Sequence, residues 1–223
     1  MEKNTKKPWS NSDNKQFYEN VPVEEFEKYT IIGGFENGCD IDVIYNRFLK
    51  NAASIVDVGA GYGRVLKHIL DHGYSGKLIA IERSCNFYSR LYKNFSGRAD
   101  LFNCSVADFK KAEVADVVLC MWSMLSEWPK DEQISTLRHI STFCKPGGII
   151  ILENLSHLIA PVNMENYNQQ YYESITEHGS VCGYTASTDE IKEYAHTLNM
   201  PKTEHIEYTT STGRQRIIHI LWV

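Results

Sequence analysis

The residue types and spacing best suited to chemistry lie in Asp57-Val58-Gly59-Ala60-Gly61-Tyr62-Gly63-Arg64, with a second carboxylate, Glu82, 19 residues after Gly63. The β-branched run Ser54 to Val58 before the glycines and the helical spacing of Val65, Leu66, Ile69 and Leu70 after them make this a strand-to-helix turn. Backbone N–H groups converge on a ligand at such a turn, and glycine gives both the positive φ and the close approach it needs. A dinucleotide-binding turn would carry its third glycine at position 64, where this chain has Arg64, so hydride transfer is disfavoured. Two groups can serve as a base: Glu127, and His157, three residues beyond Asn154. An imidazole titrates near neutrality and suits proton transfer, although a loop histidine at the surface is the blander reading of His157.

The elements that must position these groups alternate. Lys77 to Ile81, Asp100 to Asn103, Ala115 to Met121 and Ile149 to Leu152 read as strands. Helices fall between them, including one over Asp131 to Phe143. This order predicts an α/β fold: a doubly wound, mostly parallel sheet with helices on both faces and its ligand at the carboxyl ends of the strands. Thr203 to Thr210 and Gln215 to Val223, joined by a short loop, form a C-terminal antiparallel strand pair. Before the alternation begins, residues 1–15 read as a flexible tail and 16–51 as an N-terminal helical cover or lid. The main domain then covers 52–223, with a polar, tyrosine-containing insert at about 155–186. The chain has 223 residues, 43% of them hydrophobic, which suits one core, and no apolar run reaches the roughly 20 residues of a membrane helix. The polar N-terminal stretch lacks the apolar core of a secretion signal, so a cytoplasmic protein with no membrane partner is expected. A net charge of −5 argues against a broad grip on nucleic acid, and six cysteines without a C-x-x-C pair read as reduced thiols.

The G-x-G-x-G spacing with an acid two residues before it resembles class I S-adenosylmethionine-dependent methyltransferases. The resemblance extends through Glu82 at the end of the second strand, Ser105-Val106-Ala107-Asp108 after the third, Ala115 to Cys120 as the fourth and Lys145-Pro146-Gly147-Gly148 before the fifth. It implies a seven-stranded sheet with S-adenosylmethionine as cofactor and S-adenosylhomocysteine as product. It further implies that Asp57 receives the amino group of the methionine part, while Gly59, Ala60 and Gly61 let the backbone pass close to the cofactor. Glu82 then holds the ribose, Arg83 flanks the adenine, Ser105 or Val106 meets the adenine edge, and Met121 borders the sulfonium. Many family members have an aspartate where this chain has Ser105; the nearest acid here is Asp108.

The reaction so implied is an in-line displacement by N, O or S on the sulfonium methyl, for which the protein mainly aligns reactants and excludes water. Met121-Trp122-Ser123 stands where DNA amino-methyltransferases carry an Asn/Asp-Pro-Pro-Tyr/Phe run, so nucleic acid is not the expected substrate. The strand ends where the metal-dependent catechol type carries an acidic pair show none here, so no metal is expected. A small-molecule acceptor methylated on N or O is left as the favoured class, with a protein side chain or a catalytically silent cofactor-binding protein as alternatives. Tyr18, Tyr29, Trp122, Asn154 and Tyr184 are the expected substrate contacts, with the N-terminal segment and the insert Tyr167 to Tyr184 forming a lid and substrate wall over the strand ends, and the chain is expected to act as a monomer or homodimer. Trp122 has an equally good reading as a core aromatic.

Overall fold

The protein is described by a computed structural model over residues 9–156 and 170–223. Three helices come first: α1 (Asn11–Asn20), α2 (Val23–Gly33) and α3 (Cys39–Ile44), the last continued by a π-helical turn over Tyr45–Leu49. Then follow β1 (Ser54–Val58), α4 (Arg64–Asp71), β2 (Lys77–Glu82), α5 (Cys85–Phe95), β3 (Asp100–Asn103), β4 (Ala115–Cys120), α6 (Lys130–Ser141) and β5 (Cys144–Leu155). After the segment outside the described residues come β6 (Tyr171–Thr176), β7 (Gly179–Tyr184), α7 (Thr188–Thr197), β8 (Thr203–Thr209) and β9 (Gln215–Trp222).

Seven strands form one sheet in the order β3-β2-β1-β4-β5-β9-β8, with β1 to β5 parallel and β9 reversed between β5 and β8. All five residues of β1 are buried, and successive side chains serve opposite faces: Ile55 joins one apolar cluster, Val56 and Val58 the other. The first cluster holds Leu66 and Ile69 of α4 and Leu91 of α5; the second holds Leu137 and Ile140 of α6 and Ile191 of α7. The strand order reverses between β1 and β4, which opens a crevice at their carboxyl ends.

Two elements depart from the sequence expectation. Helix α1 begins at Asn11, inside the stretch read as a tail, because Asp13 accepts from the Ser10 amide (2.7 Å) and Asn14 pairs with β7. The buried Asn14 amide donates to the Cys182 carbonyl (2.8 Å) and its oxygen accepts from the Cys182 N–H (2.9 Å). Within the polar insert, β6 and β7 form an antiparallel hairpin about Glu177-His178. This turn lacks the Asn-Gly or Asp-Gly that marks a hairpin in sequence. Tyr172 packs over Gly183 opposite it so closely that a Cβ there would lie 2.1 Å from the ring.

Candidate functional site

The crevice opens into a cavity of about 680 Å³ whose floor is the β1–α4 turn and whose roof is α1, α2 and the β6–β7 hairpin. Gly61 (φ 57°) turns an empty side toward it, with no atom within 4 Å of where a Cβ would stand. Gly63 (φ 97°) supports the turn from behind, since a Cβ there would lie 2.3 Å from the Phe95 ring. Glu82 closes the arrangement: one carboxylate oxygen accepts from the Gly61 N–H and the other from the Ser84 N–H, each at 2.7 Å.

Asp57 and Glu82 both line the cavity and are both buried. Burial pushes the Asp57 carboxyl up to about 7, against the pull of Arg64, and Glu82 and Asp40 add to the rise. Glu82 is likewise raised to about 7 by burial, against its two backbone donors. One oxygen of Asp57 has no hydrogen-bond partner. A buried acceptor left so costs about 1–3 kcal/mol, which marks a group built for a donor that the fold does not supply.

Arg64 does not neutralise Asp57 fully because its guanidinium is engaged in a fork with Asp40 at 2.9 and 2.7 Å, both groups buried. Breaking such a pair strands a charge. Asp40→Ala is therefore expected to cost about 3–5 kcal/mol, and a urea midpoint unchanged from wild type would contradict this role.

Most of the residues expected at a cofactor site come together here. Gly59, Ala60, Arg83, Ser105, Val106 and Met121 line the cavity with Asp57, Gly61 and Glu82. Ser105 caps the turn Val106–Asp108: its hydroxyl donates to the Asp108 carboxylate (2.6 Å) and accepts from the Asp108 N–H (3.2 Å). Asp108 is thereby tied to Ser105 and is not part of the wall. Arg83 clamps the roof, donating to the Asn11 carbonyl (3.1 Å) and the Glu127 carboxylate (2.9 Å).

Tyr18, Tyr29 and Trp122 form the opposite wall around Phe26, whose ring centroid lies 5.9 Å from each tyrosine and 5.0 Å from Trp122. Glu127 also lines the cavity, but its carboxylate already accepts from Arg83 and from the Asn11 amide (3.3 Å). Burial raises its pKa.

Two expected substrate contacts lie elsewhere and are corrected here. Asn154 is buried in β5, where its side-chain oxygen accepts from Ser126 (3.3 Å), and it is absent from the wall. Tyr184 turns away toward α7, its hydroxyl donating to Glu190 (2.7 Å). His157 lies outside the described residues.

The wall also contains Asn11 and Phe26, which were not expected there, and Tyr172 and Ile175 of the hairpin, which fall within the insert expected to wall the substrate. Phe26 carried a usable signal, since Val23, Phe26 and Thr30 share one face of α2. The hairpin is fastened over the cavity by His178, whose Nε2 lies 3.1 Å from the Glu25 carboxylate of α2.

Residues 55–148 match the family model described as a methyltransferase domain. No curated protein matches the sequence. Among solved structures the chain is similar to an amino pentose methyltransferase from Micromonospora echinaspora (14% identity, 90% of this chain and 97% of that one, TM-score 0.63). It is also similar to the CcbJ methyltransferase of Streptomyces caelestis (16%, 92% and 98%, TM-score 0.67). A third likeness is to the 1,6-didemethyltoxoflavin-N1-methyltransferase of Burkholderia thailandensis (14%, 91% and 90%, TM-score 0.60). At these identities the structural likeness speaks for the fold, while the matched segment spans β1 through the start of β5 and so contains the glycine turn, Glu82 and the end of β4. Residues 55–148 of the chain thus match a methyltransferase domain, and the fold around them is one that solved methyltransferases share.

Proposed function

We propose that the protein transfers the methyl group of S-adenosylmethionine to a nitrogen or oxygen of a small-molecule acceptor bound under the β6–β7 hairpin. The observation that carries this reading is one cavity joining a glycine turn between two buried carboxyls to an uncharged aromatic wall. When bound, the cofactor supplies an electrophilic methyl on a sulfonium. The unpartnered oxygen of Asp57 fits the cationic amino group of its methionine part, and the open side of Gly61 leaves room beside the backbone. Glu82 fits the ribose hydroxyls, Arg83 flanks the adenine, and Ser105 and Val106 meet its edge; Met121 borders the reacting centre. Tyr18, Tyr29 and Trp122 hold the acceptor and exclude water, and aligning two reactants in this way is worth about 7–11 kcal/mol.

Glu127, tied to Arg83 and Asn11, serves this reading better as the link that holds α1 over the cavity than as a base. Among the neighbours, one is named for an amino pentose and one for the N1 of 1,6-didemethyltoxoflavin, and the second of these supports nitrogen in a compact acceptor. Incubation with methyl-labelled S-adenosylmethionine and a panel of small amines, heterocycles and phenols is expected to yield labelled product. Tight cofactor binding with no transfer to any of these would instead support a catalytically silent binder.

A further inference from the structure

Trp122 and Ser123 leave β4 with φ angles of 50° and 60°, two consecutive left-handed residues of which neither is glycine. Side chains seldom adopt this conformation, and it persists only where the surroundings over-determine it. Here the restraint comes from the two strands next in order, β5 and β9. The Ser123 N–H donates to the carbonyl of Glu153 (2.8 Å) and reaches its carboxylate (3.3 Å), while Arg216 donates from Nη2 to the Ser123 hydroxyl (2.9 Å).

Arg216 also grips Glu153 through Nε (2.5 Å) and Nη2 (2.8 Å), and the Tyr208 hydroxyl donates to the same carboxylate (2.8 Å). Arg216 is 3% exposed and Glu153 fully buried, and neither lines the cavity. A second path leads to the same place: the Arg216 guanidinium lies 5.1 Å from the Phe35 ring centroid, and Phe35 lies 5.7 Å from Trp122. A buried ion pair is seldom more stabilising than apolar residues of equal volume. Stability alone therefore does not account for an arginine that spends one donor on Ser123.

We propose that Arg216, acting with Glu153, is a positioning residue for methyl transfer: it locks the turn after β4 and so fixes the Trp122 ring in the acceptor wall. This rests on reading the cavity as the methyl-transfer site. Lysine cannot replace the arginine, because its single ammonium cannot hold the carboxylate in a fork and reach the serine from a fixed plane.

The test uses the full chain labelled with 5-fluorotryptophan, the Trp122 line being assigned by its absence in Trp122→Phe. In wild type Trp122 is expected to give one 19F line. In Arg216→Lys that line is expected to split or broaden while those of Trp9, Trp128 and Trp222 hold, with S-adenosylhomocysteine affinity kept within about threefold. Ser123→Ala, which removes only the hydroxyl that Arg216 contacts and leaves the ion pair whole, is expected to disturb the same line less. It keeps the test open if the lysine variant fails to fold. A Trp122 line unchanged in the folded variants overturns the positioning role. Failure of the wild-type chain to bind S-adenosylhomocysteine overturns the reading of the cavity instead.

Discussion

Asp57→Asn is expected to weaken S-adenosylmethionine binding by about 100-fold, the scale of removing one partner of a buried charge pair. At pH 8 the same change is expected to stabilise the ligand-free protein. Asp57 is buried, one of its oxygens has no partner, and its pKa of about 7 in the fold stands above the ordinary 3.8. The folded state therefore holds a proton that the unfolded state releases, and stability falls as pH rises from about 4 through 7. A shift of this size corresponds to about 4 kcal/mol as an upper bound, all of it felt above pH 7. Asparagine removes the charge but keeps the shape. Wild type and variant should thus melt together near pH 4, and the variant should melt about 5 °C or more higher at pH 8. The same titration makes wild-type affinity for the cationic cofactor rise between pH 6 and 8. Equal melting temperatures at pH 8, or an unaltered dissociation constant, would contradict the role of Asp57.

Glu82→Gln separates the two ends of the cofactor. Its carboxylate oxygens accept from Gly61 and Ser84, so the amide, with one acceptor oxygen, leaves one of these N–H groups unsatisfied as well as weakening its grip on the ribose. A loss of about 30-fold or more is expected for every adenosyl ligand, including 5′-methylthioadenosine, which has no amino acid part. Asp57→Asn should leave methylthioadenosine affinity nearly unchanged, because that ligand offers no amino group. Parallel losses for all ligands in both variants would mean that the two carboxyls act only through the shape of the turn.

The parts of this site that are legible in sequence are those whose chemistry is local. The glycine turn, Asp57 before it and Glu82 at the next strand end are fixed by short-range backbone geometry, and the parallel, doubly wound sheet follows from the alternation of strands and helices. The parts that are not legible depend on distant partners. Asp40 meets Arg64 from 24 positions away and Glu153 meets Arg216 from 63, and neither pair has a spacing rule. Asn154 was expected at the site, but its side chain is turned to Ser126 and its neighbour Glu153 faces Arg216. The first half of helix α1 read as a tail because Asn11 and Asn14 dock through polar contacts to Arg83 and Cys182, which leave no apolar signal, whereas its second half, with the buried Phe17, fell within the expected helical cover.

Calorimetric titration of the purified chain with S-adenosylmethionine, S-adenosylhomocysteine and NAD in parallel tests the central claim most directly. Binding of both adenosyl-amino acid ligands at micromolar concentrations, with none for NAD, is the predicted result. Silence toward both, or a preference for NAD, would contradict the assignment of the glycine turn and its two buried carboxyls.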